Sequence, residues 1–160
     1  MIYVTVGKSI FSFSRLINAV DAIAGEVREE FFVQYGCSPP PGKKVAGREY
    51  MAFSEAEDLL HRSSLVIAHA GIGTIIGALR AGVPIVIVPR YKKYKEHFND
   101  HQLEIAEAVK GRPGVEVVYD GEALLPAVNR LLEMEQPLAP RISGAGLINA
   151  IDEFLSGLNG

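Results

Sequence analysis

Two short apolar runs, residues 65–68 and 85–88, stand out along the chain. Both are rich in β-branched residues and show no alternation, the pattern of parallel strands covered on both faces. Between them, residues 73–81 carry helical spacing, with Ile75, Ile76, Ala78 and Leu79 on or near one side. Gly82 and Pro84 end that helix. The pattern therefore predicts strand, glycine turn, helix, strand. A long polar loop over 89–99 follows, and then a helix opening at Asn99 or Asp100.

The rest of the chain repeats this alternation. Residues 2–6 read as a first strand, with a helix from Ser12 or Ser14 to Arg28. Residues 31–35 read as a second strand. Residues 36–47, with Pro39, Pro40, Pro41 and three glycines, read as a loop. A short strand is expected over 49–53. Ser54 with Glu57 three residues on has the form of a capping box, opening a helix to Arg62. A last strand ends at Tyr119, and Asp120 caps a helix to Met134. Beyond Pro137 and Pro140 a final helix is expected over 143–158, with a stripe of Ile148, Ile151, Leu155 and Leu158. Strands alternating with helices predict an α/β fold, a Rossmann-like parallel sheet flanked by helices.

Composition narrows the function classes. At 160 residues the chain is most simply one domain, 1–160, with 141–160 its terminal helix. A net charge of −3 argues against a general nucleic-acid binder. The single cysteine, Cys37, cannot form an internal disulfide, which suits a reducing compartment. No signal pattern opens the chain, and its apolar runs fall far short of the ~20 residues that cross a bilayer. A cytoplasmic protein, touching membrane only peripherally, is the expectation. His97 and His101 have i, i+4 spacing, but His97 precedes the expected helix and no thiol or HExxH context accompanies them, so no metal site is expected.

The chemistry concentrates at the carboxyl ends of the two central strands. The turn His69-Ala70-Gly71-Ile72-Gly73-Thr74 leaves a strand and opens a helix. Gly71 and Gly73 permit a tight turn and close approach of a ligand. The first amides of the helix lack intrahelical partners and sit at its positive end, where a diphosphate fits. Thr74 adds a hydroxyl and His69 an imidazole. In the second loop, Glu96, His97, Asn99, Asp100, His101 and Gln102 fall within seven residues. In an open α/β sheet such loops share one crevice. Asn, Asp and Gln suit sugar hydroxyls, which need donors and acceptors together. Gly7 and Lys8 end the first strand and open on the same edge. Residues 90–95 carry four cations and two tyrosines, suited to phosphates or to an anionic membrane surface.

These stretches, together with the opening MIYVTVG and the segment YMAFSEAEDLLHRSSLVIAHAG, resemble the C-terminal, donor-binding half of family 28 glycosyltransferases. The form most similar is the single-half catalytic subunit of exopolysaccharide, capsule and dolichol-linked UDP-GlcNAc transferases. The resemblance implies one half of a GT-B architecture. It implies a subunit that binds a UDP-sugar and passes the sugar, with inversion and without an essential metal or other cofactor, to a lipid-diphosphate-linked acceptor. A membrane-anchored partner would supply the acceptor-binding half and recruit the chain to the inner face of the membrane. In isolation the chain could self-associate.

The site assignments follow from that resemblance. His69, Gly71, Gly73 and Thr74 would take the donor diphosphate. Asn99, Asp100, His101 and Gln102 would hold the donor sugar. His97 or Glu96 would act as base, and Gly7 and Lys8 would face acceptor and partner. Many relatives carry a Glu three residues after the Thr, where it would hold the ribose; here that residue is Gly77. The competing expectation is a non-catalytic subunit that senses a nucleotide sugar.

Overall fold

A computed structural model describes residues 1–134. The expected terminal helix and its apolar stripe lie outside the described residues. Six parallel strands form one sheet in the order β3-β2-β1-β4-β5-β6. They are β1 (Ile2–Thr5), β2 (Phe31–Gln34), β3 (Ala46–Arg48), β4 (Leu65–Ala68), β5 (Ile85–Ile87) and β6 (Val115–Val117). The helices are α1 (Ser14–Ile23), α2 (Phe53–Arg62), α3 (Ile72–Ala81), α4 (His101–Val109) and α5 (Leu124–Leu132). This is the doubly wound Rossmann order, whose direction reverses between β1 and β4.

The unbroken apolar strands are explained by two cores. On one face α1 and α5 cover Ile2, Val4, Leu65, Ile67 and Val86. On the other α2, α3 and α4 cover Tyr3, Val66, Ala68, Ile85 and Ile87. All four residues of β1 and of β4 are buried. The registers Thr5↔Ala68 and Thr5↔Gln34 align the ends of β1, β2 and β4, so the turns after β1 and β4 leave the sheet side by side.

Four boundaries differ from the sequence pattern. Helix α1 stops at Ile23, because Gly25 and the exposed Glu26 end the apolar period. The third strand is Ala46–Arg48, inside the segment expected to be loop, and residues 49–53 are not a strand. It is a short, wholly exposed edge strand, and Gly47 allows it: a Cβ there would stand 2.7 Å from the Val33 carbonyl oxygen. Helix α2 opens at Phe53, and it is Glu55 that accepts from the Ala52 N–H at 3.1 Å, so the Ser54/Glu57 box does not form. Asp120 does cap, accepting from the Ala123 N–H at 3.1 Å, but a 3-10 turn over Gly121–Ala123 precedes α5. No helix among the described residues is long and apolar enough to cross a membrane.

Candidate functional site

The floor of the crevice is a small hydrogen-bonded array on β1 and β2. Tyr3 Oη donates to Gln34 Oε1 at 3.0 Å and Thr5 Oγ1 donates to the same oxygen at 3.2 Å. The Gly7 N–H donates in turn to Thr5 Oγ1 at 3.1 Å, fixing the turn after β1. Burial raises the Tyr3 phenol above its ordinary value, so it remains a donor.

His69 follows β4 and lies against that turn. Its ring occupies the space that side chains on Gly7 and Gly71 would need. A Cβ on Gly7 would stand 2.5 Å from Cε1, and one on Gly71 would stand 2.7 Å from Cε1 and nearer still to Nε2. Gly7 also has φ +73°, a left-handed conformation that favours glycine. Burial, assisted by the charge of Arg90, pushes the His69 pKa down to about 4. The imidazole is therefore neutral at physiological pH. Nδ1 is sealed from solvent without a hydrogen bond of good geometry.

Helix α3 starts at the next turn. Gly71 is its N-cap residue, and the Ile75 N–H is the first to reach an intrahelical carbonyl, that of Gly71 at 3.1 Å. The amides of Ile72, Gly73 and Thr74 thus have no acceptor within the helix. A Cβ on Gly73 would meet nothing within 4 Å. The two glycines therefore differ: Gly71 makes room for His69, and Gly73 keeps the helix end open.

The open end lies on a cavity of about 700 Å³ between α2 and α3. Gly7, Lys8, His69, Gly71, Gly73 and Thr74 all line it, so the six residues expected at the diphosphate and acceptor edge share one space. The sheet floor is Tyr3, Thr5 and Gln34; the walls include Met51, Phe53, Glu57, Leu60 and His61 from the α2 side and Ile76, Gly77 and Arg80 from α3. Phe53 is 75% exposed, an apolar ring at the mouth. The sequence pattern missed the α2 wall, although positions 53, 57, 60 and 61 have the spacing of one helical face.

Residues 96–102 do not line this cavity. They form a braced loop beside it. Glu96 is buried, and Arg15 forks onto both of its oxygens, Nε to Oε1 and Nη2 to Oε2, each at 2.9 Å. The Tyr91 N–H adds a third bond to Oε2 at 3.0 Å. Held by these three bonds, Glu96 anchors the loop to α1, a structural task beside the one expected of it.

Gln102 Oε1 accepts from the Ala70 N–H at 3.3 Å and the Arg90 N–H at 3.1 Å, tying this loop to the His69 turn. Its carbonyl is thereby used, which leaves the amide nitrogen for a ligand. Asn99 Oδ1 accepts from the His101 N–H at 3.2 Å, and Asp100 Oδ1 from the Lys92 N–H at 2.9 Å. His101 is exposed and pairs with Glu104 at 2.8 Å. His97 stacks on Phe98 with ring centroids 4.3 Å apart, and its Nδ1 accepts from the Asn99 N–H at 3.4 Å.

Arg90 also departs from expectation. It is fully buried, not offered to a phosphate. Nη1 donates to the carbonyls of Phe11, Ser12 and Glu96 at 3.0, 3.3 and 3.0 Å, and Nη2 to that of Val6 at 2.7 Å. Its guanidinium lies 4.5 Å from the Phe13 ring centroid. Burial lowers its pKa to about 10, so it stays charged and pins the turn after β1 to the loop after β5. Among the described residues, no group of three or more His, Cys, Asp or Glu is placed to hold a metal.

Comparison with known proteins agrees with this geometry. A family model described as "Glycosyltransferase family 28 C-terminal domain" matches residues 1–154. The chain is 34% identical over 92 residues to the UDP-N-acetylglucosamine transferase subunit ALG13 of Cryptococcus neoformans, covering 56% of this chain and 40% of that protein. It is 32% identical over 97 residues to a UDP-N-acetylglucosamine–N-acetylmuramyl-(pentapeptide) pyrophosphoryl-undecaprenol N-acetylglucosamine transferase of Rhodospirillum centenum, covering 58% of this chain and 24% of that one. The matches thus span well under half of each relative. Among solved structures, the glycotransferase of kitacinnamycin superposes with TM-score 0.67 at 19% identity, over 96% of this chain and 39% of that one. The solution structure of ALG13 superposes with TM-score 0.57 at 17% identity, over 86% of this chain and 88% of that one. At these identities the superpositions speak to the fold alone.

Proposed function

Because the chain belongs to the glycosyltransferase family 28 C-terminal domain family, and its fold is one half of the GT-B architecture, we propose that it is the donor-binding subunit of a UDP-sugar glycosyltransferase. The observation that carries this reading is the cavity of about 700 Å³ at the reversal between β1 and β4, with the unpartnered amides of α3 at its edge. An anionic diphosphate suits that edge. Lys8, exposed beside it and without an ion pair, adds a compact positive charge. The apolar mouth at Met51 and Phe53 suits a nucleobase.

The chemistry is a direct displacement. The acceptor hydroxyl oxygen bonds to the anomeric carbon as the bond from that carbon to the diphosphate oxygen breaks. The electron pair leaves with the diphosphate, where the α3 amides, Thr74 Oγ1 and Lys8 stabilise it. The acceptor's proton goes to a base, for which His97 is the candidate this chain supplies. Asn99 Nδ2, Asp100 Oδ2 and the Gln102 amide nitrogen, whose companion atoms are already bonded, would hold the sugar. His101 is tied to Glu104 and stands further from that task. A separate membrane-anchored subunit would bring the lipid-diphosphate-linked acceptor and draw this chain to the membrane, in exopolysaccharide, capsule or lipid-linked oligosaccharide synthesis.

Ligand-observed NMR on the chain tests this with UDP, UDP-glucose, UDP-galactose, UDP-N-acetylglucosamine, UDP-glucuronate, GDP, ADP and NAD. Preferential binding of UDP species supports the reading. Failure of every nucleotide to bind, with and without the co-expressed partner, overturns it. A sensing subunit without catalysis is separated by turnover: the reconstituted pair must transfer sugar.

A further inference from the structure

The cavity is polar at its floor and cationic at its edges, yet among the described residues a single carboxylate lines it, that of Glu57. Lys8 and Arg80 are its cations. Glu57 is free for a ligand because of how α2 begins. The helix starts at Phe53, and Glu55 accepts from the Ala52 N–H at its first turn, so Glu57 is not used as a cap. It makes no hydrogen bond or ion pair among the described residues, and it faces the cavity one turn before Leu60.

Beyond Thr74, the opposite wall offers no acceptor side chain. Helices α2 and α3 each lead into the start of a parallel strand, so both begin at the carboxyl edge of the sheet. A Cβ on Gly77 would meet Leu60 Cδ1 at 3.4 Å, which places Gly77 level with Leu60. Glu57 therefore stands one turn nearer the edge, across from the first turn of α3. The α3 wall contributes Ile76, Gly77 and Arg80 beyond that turn and no acceptor side chain.

An ionised carboxylate accepts only, and its two oxygens match two adjacent hydroxyl donors. It would repel phosphate, so it must meet a neutral, hydroxyl-bearing part of the ligand. We infer that Glu57 grips the vicinal diol of the nucleotide's ribose from the α2 side, fixing the nucleoside while its diphosphate rests on α3. This rests on the nucleotide-sugar reading above.

The test compares UDP with 2′-deoxy-UDP by titration calorimetry. The wild-type chain should bind UDP about tenfold or more tightly than the deoxy form, as for loss of a hydrogen bond to a charged group. In Glu57→Ala, UDP affinity should fall to that of 2′-deoxy-UDP and the preference should vanish. Position 57 is exposed on a helix, so alanine leaves the fold intact. Adding Gly77→Glu to that variant puts a carboxylate on the facing wall and should restore part of the preference. The inference is overturned if the wild type binds both nucleotides equally, or if Glu57→Ala keeps the wild-type preference. If the wild type binds no UDP, with or without a partner, the nucleotide-sugar reading fails first and this inference with it.

Discussion

The imidazole of His69 fills the space beside Gly71 so closely that a Cβ on Gly71 would come within 2.7 Å of Cε1. Two residues on, Gly73 has nothing within 4 Å of the same position. Two glycines of one turn are thus held by different forces, and alanine separates them. Gly71→Ala must displace the ring and should cost about 1–3 kcal/mol of stability, as overpacking does. Gly73→Ala lies in the first turn of an exposed helix end and should stabilise the free chain by up to about 1 kcal/mol. The same added methyl stands where the diphosphate would approach, so it should weaken UDP binding. Urea unfolding with UDP titration checks both signs; a Gly73→Ala chain that binds UDP unchanged would place the phosphate elsewhere.

His69 makes stability depend on pH in a defined direction. Its folded pKa, about 4, lies below the ordinary histidine value near 6.5. Above that value both folded and unfolded imidazoles are neutral and the residue contributes no slope. As pH falls from about 6.5 to about 4 the unfolded chain takes up a proton that the folded chain refuses. Stability should therefore drop across this window, by on the order of 3 kcal/mol in total, and level off below it. Urea midpoints from pH 7 to pH 4 should show a steeper slope in the wild type than in His69→Gln, where the lowered carboxylates of Glu29 and Glu107 leave a shallower one. Parallel slopes in the two chains would mean that the buried histidine is not responsible.

The parts of this molecule that were legible in its sequence are those fixed by burial. The apolar runs of β4 and β5 were legible because they are short, β-branched and bounded by glycine and proline, which together favour strands buried on both faces over a buried helix. The polar loop was legible as a cluster but not in its roles. Glu96 and Asn99 look alike to composition whether they face a sugar or a backbone amide, and only the folded chain shows Arg15 reaching across from α1. Arg90 was hidden for the same reason: a cation beside Lys92, Lys93 and Lys95 reads as surface, yet four carbonyls and the Phe13 ring surround it. At α2 the pattern Ser-x-x-Glu pointed to the wrong carboxylate. A cap is chosen by where the backbone leaves extended geometry, at Ala52, and that made Glu55 the acceptor and left Glu57 to the cavity.

Arg90 should resist even a conservative change. A lysine keeps the charge but offers one ammonium where the guanidinium reaches four carbonyls from three chain segments. Arg90→Lys should lose about 3 kcal/mol, with the turn after β1 loosened first. Hydrogen exchange at Gly7 and Phe13, whose amides bond Thr5 Oγ1 and Ser38 Oγ, is the local readout. If Arg90→Lys and wild type share one urea midpoint, the buried guanidinium is not the tie between these loops.

Glu96 and His97 are neighbours in sequence but should fail in opposite ways. Removing the charge of Glu96 leaves Arg15 without its partner at a site where the carboxylate is buried, so Glu96→Gln should cost about 2 kcal/mol. Turnover of the reconstituted pair, measured well below the unfolding temperature, should fall less than tenfold, because the ion-paired carboxylate accepts no proton from the acceptor. His97→Gln should change stability by no more than about 1 kcal/mol, since its ring stacks on exposed Phe98 and more distantly on Phe11, and its Nδ1 accepts one long bond, from the Asn99 N–H at 3.4 Å. If His97 is the base, that variant should lose roughly a hundredfold or more in turnover while binding UDP normally. Loss of turnover in Glu96→Gln at full stability would return the base to Glu96. Normal turnover in both variants would move the base to Asp100, whose Oδ1 is bound by the Lys92 N–H but whose Oδ2 is not, or to the partner subunit, and Asp100→Asn separates these two.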